Sequence, residues 1–155
     1  LLRVLLPLEA SERVSPAAPT IPALRDVRLR VLVVDDDALV GRALVRVLKQ
    51  HDVSSVSDGE EAVRLILGDS PPDLVLCDLM MPGLSGMDVW ERVKAGRPDR
   101  LATIVFVTGG AFTERAELFL QHTVVKVLKK PLAAGELRSV LAEIATRVDR
   151  LNRGA

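Results

Sequence analysis

The chain has 155 residues, with 21 Lys plus Arg against 21 Asp plus Glu, a balance that argues against a nucleic-acid surface and leaves only a local basic patch open. Its one cysteine, Cys77, excludes an internal disulfide and suits a reducing cytoplasm, and no apolar run approaches the roughly 18 residues of a membrane helix. The length suits one compact domain with a substantial core.

The opening "LLRVLLPLEAS" is interrupted by Arg3 and Pro7 and leads into no small-residue cleavage pattern, so it does not read as a secretory signal. The first residue is not Met, and a fragment of a longer protein is expected. Residues 9–27 hold Pro16, Pro19 and Pro22 among Ser, Ala and Thr without Gly, the composition of a semi-stiff linker with polyproline II character. From residue 28 the pattern changes. Val31 to Val34 form an apolar run of strand length that ends in three aspartates, Asp35, Asp36 and Asp37. A helix is expected from Ala38 to Gln50, capped by Asp37, with Leu39, Ala43, Leu44, Val47 and Leu48 on its inner face. "VSSV" at 53–56 reads as a weak edge strand, and "DGEEAVRLILGDS" as a helix that Gly68 ends. Leu74 to Cys77 is the next strand, followed by a helix in "GMDVWERVKAG" with Met87, Trp90 and Val93 inward and Gly96 as its stop. Ile104 to Val107 and Val124 to Leu128 are further strands, with the short helix "TERAELFLQH" between them. A longer helix, "AAGELRSVLAEIATRVDRL", closes the pattern.

These strand runs are near-continuous rather than alternating, as in strands covered on both faces. Alternation with helices predicts an α/β, doubly wound, five-stranded parallel sheet with right-handed crossovers and helices on both faces. Ligands of such sheets bind beyond the carboxyl ends of the strands. That rule brings Asp35, Asp36, Asp78, Thr108 and Lys130 to one crevice. Aspartates held a few Å apart repel by about 4 kcal/mol per pair at an effective dielectric of about 20, so a cation is expected among them. An oxygen-only acidic cluster suits the hard ion Mg²⁺. Asp37 reads more simply as a helix cap, Cys77 as a small buried hydrophobe, and Trp90 as core. His51 and His122 are expected at the surface, as are two of the three lysines Lys126, Lys129 and Lys130.

The motifs "VLVVDDD", "DLVLCDLMMPGLSG", "IVFVTGG" and "VLKKPL" occur in this order, and jointly the region 28–150 resembles the receiver domain of bacterial two-component response regulators. The resemblance implies a flavodoxin-like sheet in the order 2-1-3-4-5. It makes Asp78 the phosphoryl acceptor, a carboxylate nucleophile that forms an acyl phosphate. The donor is then a phosphohistidine of a histidine kinase, in cis or in trans, or of a phosphotransfer protein. Asp35, Asp36 and Asp78, with the backbone carbonyl of Met80, would hold Mg²⁺. Thr108 would bond a phosphoryl oxygen, and Lys130 would pair with the phosphoryl group just before Pro131, to which a cis bond is expected. Such a domain catalyses only its own phosphorylation and dephosphorylation. It is cytoplasmic, with no nucleic-acid or membrane contact expected of this segment, and pairing with a second copy is left open. One position departs from the family pattern. Receivers usually carry Tyr or Phe three residues before the conserved lysine, and here Val127 stands there in a chain with no Tyr. The usual threonine–aromatic coupling is therefore expected to be absent, with the fourth helix and fifth strand responding by another route or only slightly.

"LRVLLPLEAS" resembles the closing strand of the ATP-binding domain of histidine kinases. Residues 1–8 would then be a kinase remnant, and the order of kinase end, linker and receiver is that of a hybrid sensor histidine kinase. Only a few residues follow Arg150, so no helix-turn-helix output is expected there. Two other readings compete. A haloacid-dehalogenase-like phosphatase would use Asp35 and Asp37 as a D-x-D pair with Asp35 as nucleophile. That family needs Thr or Val where Leu39 stands, and a late acidic pair where only Glu136, Glu143 and Asp149 of the final helix remain. A non-phosphorylated interaction module on the same fold is expected to have lost site residues, whereas all five are present.

Overall fold

The computed structural model describes residues 27–110 and 113–153. The segment 1–8 and nearly all of the linker at 9–27 lie outside the described residues. Five strands, β1 (Arg30–Val34), β2 (Asp52–Val56), β3 (Leu74–Asp78), β4 (Ile104–Thr108) and β5 (Lys126–Lys129), pair in parallel in the order β2-β1-β3-β4-β5. The expected sheet is therefore the one observed. Its register aligns Val34 with both Val56 and Cys77, Asp78 with Val107, and Thr108 with Lys129. All carboxyl ends thus meet at one rim.

The helices are α1 (Ala38–Val47), α2 (Gly59–Leu67), α3 (Gly86–Gly96), α4 (Glu114–His122) and α5 (Ala134–Arg153). A 3-10 segment at Pro98–Thr103 was not anticipated; Pro98 opens it. Side chains alternate across each strand, so the sheet carries two apolar layers. Leu32, Val34, Val75, Cys77, Ile104 and Phe106 pack beneath α2, α3 and α4. Val31, Val33, Leu74, Leu76, Val105, Val107 and Leu128 face α1 and α5. Burying each such side chain contributes about 1.5–3 kcal/mol, which is what commits near-continuous apolar runs to a sheet covered on both sides. Side-chain oxygens of Asp37, Asp58, Ser85 and Thr113 accept from free N–H groups at the starts of α1 to α4. Trp90 lies in the core with Met87 and Val93, as their spacing predicts. Among the described residues no helix is long and apolar enough to cross a membrane.

Two elements differ from expectation. Helix α1 ends at Val47 rather than Gln50, and its buried side runs through Gly41 and Leu44 to Leu48. Leu39 and Val47 are 68% and 59% exposed, and Ala43 is exposed too. The cause is a close approach: a Cβ on Gly41 would stand 2.5 Å from Ser55 Oγ of β2. Glycine adds nothing to an apolar period, so a pattern read from Leu and Val alone finds Leu44 and Leu48 on the buried side but wrongly adds Leu39, Ala43 and Val47. Strand β5 begins two residues later than expected, because its ladder opens with Lys126 opposite Val105, and Val124 before it is fully exposed.

Candidate functional site

Asp35 follows β1 directly, and its N–H donates to the carbonyl of Val56 at 3.1 Å, which fixes it at the rim. Its side chain is buried, with one hydrogen bond on each oxygen. Oδ1 accepts from the Asp37 N–H at 2.9 Å, and Oδ2 accepts from Lys130 Nζ at 2.7 Å. Asp78 ends β3, also buried; its Oδ1 accepts from the Met80 N–H at 2.9 Å and its Oδ2 from Lys130 Nζ at 2.7 Å. Asp36 is exposed beside them, and carboxylate oxygens of Asp35, Asp36 and Asp78 lie within 4.8 Å of one another. Thr108 ends β4, buried, with Oγ1 accepting from the Gly110 N–H at 3.3 Å. Lys130 is held in place by its own N–H, which donates to the Thr108 carbonyl at 2.7 Å, and the bond from Lys130 to Pro131 is cis.

The rim is thus brought together as the strand-end rule requires: Asp35, Asp36, Asp78, Thr108 and Lys130 converge. Burial pulls the Lys130 ammonium toward deprotonation, but the hydrogen bonds it donates to Asp35 and Asp78 outweigh it and hold its pKa above the ordinary lysine value. One ammonium faces three carboxylates, which leaves the cluster short of positive charge. All the side-chain donors are carboxylate oxygens, and this donor set fits a hard divalent cation such as Mg²⁺. Asp37 is not part of the cluster. It is exposed, and its Oδ1 accepts from the Leu39 N–H at 2.8 Å as the cap of α1.

Other sequence expectations divide. Cys77 is buried, and burial first, then the charges of Asp78 and Asp35, pushes its thiol well above the ordinary range, so it packs as a small hydrophobe. Lys126, Lys129 and His122 are exposed as expected. His51 is not simply at the surface: it is half-buried, its Nδ1 accepts from the Leu29 N–H at 3.4 Å, and burial lowers its pKa. Val127 sits half-buried directly opposite Phe106 of β4.

Further support stands behind the rim. The loop after Asp78 folds back so closely that a Cβ on Gly86 would stand 2.3 Å from the Asp78 carbonyl oxygen. The Gly86 N–H donates to the Leu79 carbonyl at 3.2 Å. Ser85 and Asp88 form a capping box at the start of α3, and Asp88 also accepts from Arg115 of α4 at 2.5 Å. The S-x-x-D spacing at 85–88 was the available signal for the box. Nothing local signals Arg115, because that partner is tertiary.

Comparison with known proteins agrees with this geometry. The family model described as response regulator receiver domain matches residues 31–142. The chain is 35% identical over 126 residues to the DNA-binding response regulator MtrA of Mycolicibacterium paratuberculosis, covering 80% of this chain and 53% of that protein. It is 36% identical over 133 residues to the positive alginate biosynthesis regulatory protein of Pseudomonas aeruginosa, covering 82% and 51%. The chain therefore spans about half the length of these curated relatives. Among solved structures, a response regulator receiver protein from Pseudomonas putida matches with a TM-score of 0.62 at 32% identity, covering 76% of this chain and 98% of that one. A receiver domain protein from Clostridium thermocellum matches with a TM-score of 0.66 at 26% identity, covering 79% and 98%. With fold, rim and family model in accord, the chain belongs to the response regulator receiver domain family of two-component signalling.

Proposed function

We propose that this receiver, spanning residues 28–150, takes a phosphoryl group from a phosphohistidine onto Asp78 in a Mg²⁺-dependent reaction. The observation that carries the reading is the bridge of Lys130 Nζ between Asp35 and Asp78, 2.7 Å from each, beside a cluster of three carboxylates. A carboxylate oxygen of Asp78 forms the new O–P bond as the donor's N–P bond breaks. The electron pair of that bond goes to the imidazole nitrogen, which takes up a proton. Lys130 moves its charge from the free carboxylate to the phosphoryl oxygens, and the Thr108 hydroxyl donates to one of them. Asp35 and Asp36, with Asp78 and the Met80 carbonyl, would hold Mg²⁺. When bound, the ion neutralises charge that develops on the transferring group. Return to the ground state is hydrolysis: water attacks phosphorus, and Asp78 leaves as a carboxylate with inorganic phosphate. For phosphoryl transfer, positioning and neutralisation are most of what a protein must supply.

The donor is a histidine kinase, acting in cis or in trans, or a phosphotransfer protein, in the cytoplasm. A cis arrangement is favoured by the "LRVLLPLEAS" opening, and the hybrid-kinase origin fails if coding sequence upstream of Leu1 holds no ATP-binding domain. MtrA is by its name a DNA-binding protein, but the match takes in only 53% of it. The engagement of Asp37 as a cap weighs against a D-x-D phosphatase.

Incubation with Mg²⁺ and acetyl phosphate, followed by intact mass, tests the reading. One phosphoryl adduct on the wild type, absent in Asp78→Asn and absent under chelation, is expected. Rapid turnover of phosphate esters without an adduct would reject it.

A further inference from the structure

Three aromatic rings close a triangle on one side of the sheet. Trp90 of α3 lies 5.9 Å from Phe106 of β4, Phe106 lies 5.5 Å from Phe119 of α4 at 88°, and Trp90 lies 6.2 Å from Phe119 at 83°. Phe106 is fully buried and stands two residues before Thr108 on the same face of β4. Across the ladder its neighbour on β5 is Val127, which offers no ring.

Helix α4 is held to the body by little else. It buries only Ala116 completely; Phe119 and Leu120 are half-buried, and Arg115 reaches Asp88 of α3. By contrast α3 is anchored by Met87, Val89, Trp90 and Val93, all buried. Elements with few buried contacts are the ones that open or shift at low cost. Close-packed interiors also transmit displacement, since a ring in edge-to-face contact moves only if its neighbour yields.

We propose that the state of the rim reaches α4 through Phe106 and Phe119, with Trp90 as the fixed wall against which they slide, and not through β5. The proposal rests on the reading of Asp78 as phosphoryl acceptor. Thr108 Oγ1 accepts from the Gly110 N–H at 3.3 Å, in a turn where Gly110 adopts a φ of +91°. A hydroxyl can donate and accept at once, but drawing Oγ1 toward a phosphoryl oxygen lengthens that already long contact at the start of the segment leading to α4. The end of β4 shifts with Thr108, and Phe106 carries the shift to Phe119.

Trp90 is the sole tryptophan and the chain has no tyrosine, so intrinsic emission reports this triangle alone. The experiment treats the full chain with Mg²⁺ and acetyl phosphate and reads intact mass, Trp90 emission and amide shifts of one sample. The wild type should show an emission change that grows in step with the adduct, together with amide shifts across 114–122; Asp78→Asn should show neither. Phe119→Leu and Phe106→Leu should form the adduct to the wild-type extent yet lose at least half of both responses, while Val127→Ala keeps both. An adduct with unchanged emission and unmoved α4 amides overturns the relay. So does a full response in both leucine variants, or its loss in Val127→Ala. Absence of any adduct on the wild type instead overturns the Asp78 reading, and the relay falls with it.

Discussion

Lys130 joins the two buried carboxylates, and its surroundings make its loss costly. The side chain is 24% exposed and contacts Asp35 and Asp78 at once. Removing one partner of a buried ionic group leaves the other charges uncompensated. Lys130→Met should therefore destabilise the Mg²⁺-free protein by about 3 kcal/mol in denaturant titrations, and Mg²⁺ should restore more stability to the variant than to the wild type. The sign with pH follows from a folded pKa above the unfolded value. The contribution is fully present below about pH 10.4 and disappears as pH rises through the folded value, so the two proteins converge in strong alkali. At this scale the rim was readable because each of its side chains ends or follows a strand, where a general rule of parallel sheets sends ligands. The ring triangle was not readable, because Trp90, Phe106 and Phe119 meet only through the packing of α3 and α4 on β4.

Helix α1 shows how an element can be read correctly in kind and wrongly in orientation. Its start follows from the cap at Asp37, but its phase is set by Gly41 against Ser55. Leu39→Ala is accordingly expected to change stability by less than about 0.5 kcal/mol, as at other exposed sites. Leu44→Ala should cost about 2–5 kcal/mol, as buried leucines do. Comparable costs would restore the face predicted from the apolar period. Helix α4 offers a titration instead. The hydrogen bond from Arg115 first, then those from Ser85, holds the Asp88 carboxyl at about 2. A depressed folded pKa stabilises above the unfolded value of about 3.9 and is lost as pH falls toward 2. Carboxyl-carbon NMR should place the Asp88 midpoint near 2 in the wild type. In Arg115→Ala it should move up toward the ordinary value, and an unmoved midpoint would deny the link between α3 and α4.

Over the whole molecule, four near-continuous apolar runs and one weak edge strand, alternating with helices, were enough to specify a parallel sheet. Periodicity alone could not order the strands; the order came with the family resemblance, and pairing in the structure agrees with it. The same topology makes the acidic cluster a property of the fold, since Asp35 and Asp36 follow β1 while Asp78 ends β3. A ligand bound only by the folded state stabilises it by about 2.7 kcal/mol at a hundred times its dissociation constant. Mg²⁺ should therefore raise the unfolding temperature of the wild type. Asp36→Asn, removing one of three mutually repelling carboxylates, should leave the metal-free protein at least as stable as the wild type while weakening Mg²⁺ at least tenfold, read by calorimetry. Equal affinity in the two proteins would remove Asp36 from the ion's shell.

Peptide mapping of the protein after exposure to Mg²⁺ and acetyl phosphate, quenched at low temperature, locates the acyl phosphate residue by residue. The group should be found on Asp78 at the end of β3 and nowhere else. Its appearance on Asp35 would transfer the nucleophile to β1 and contradict the receiver chemistry assigned to this rim.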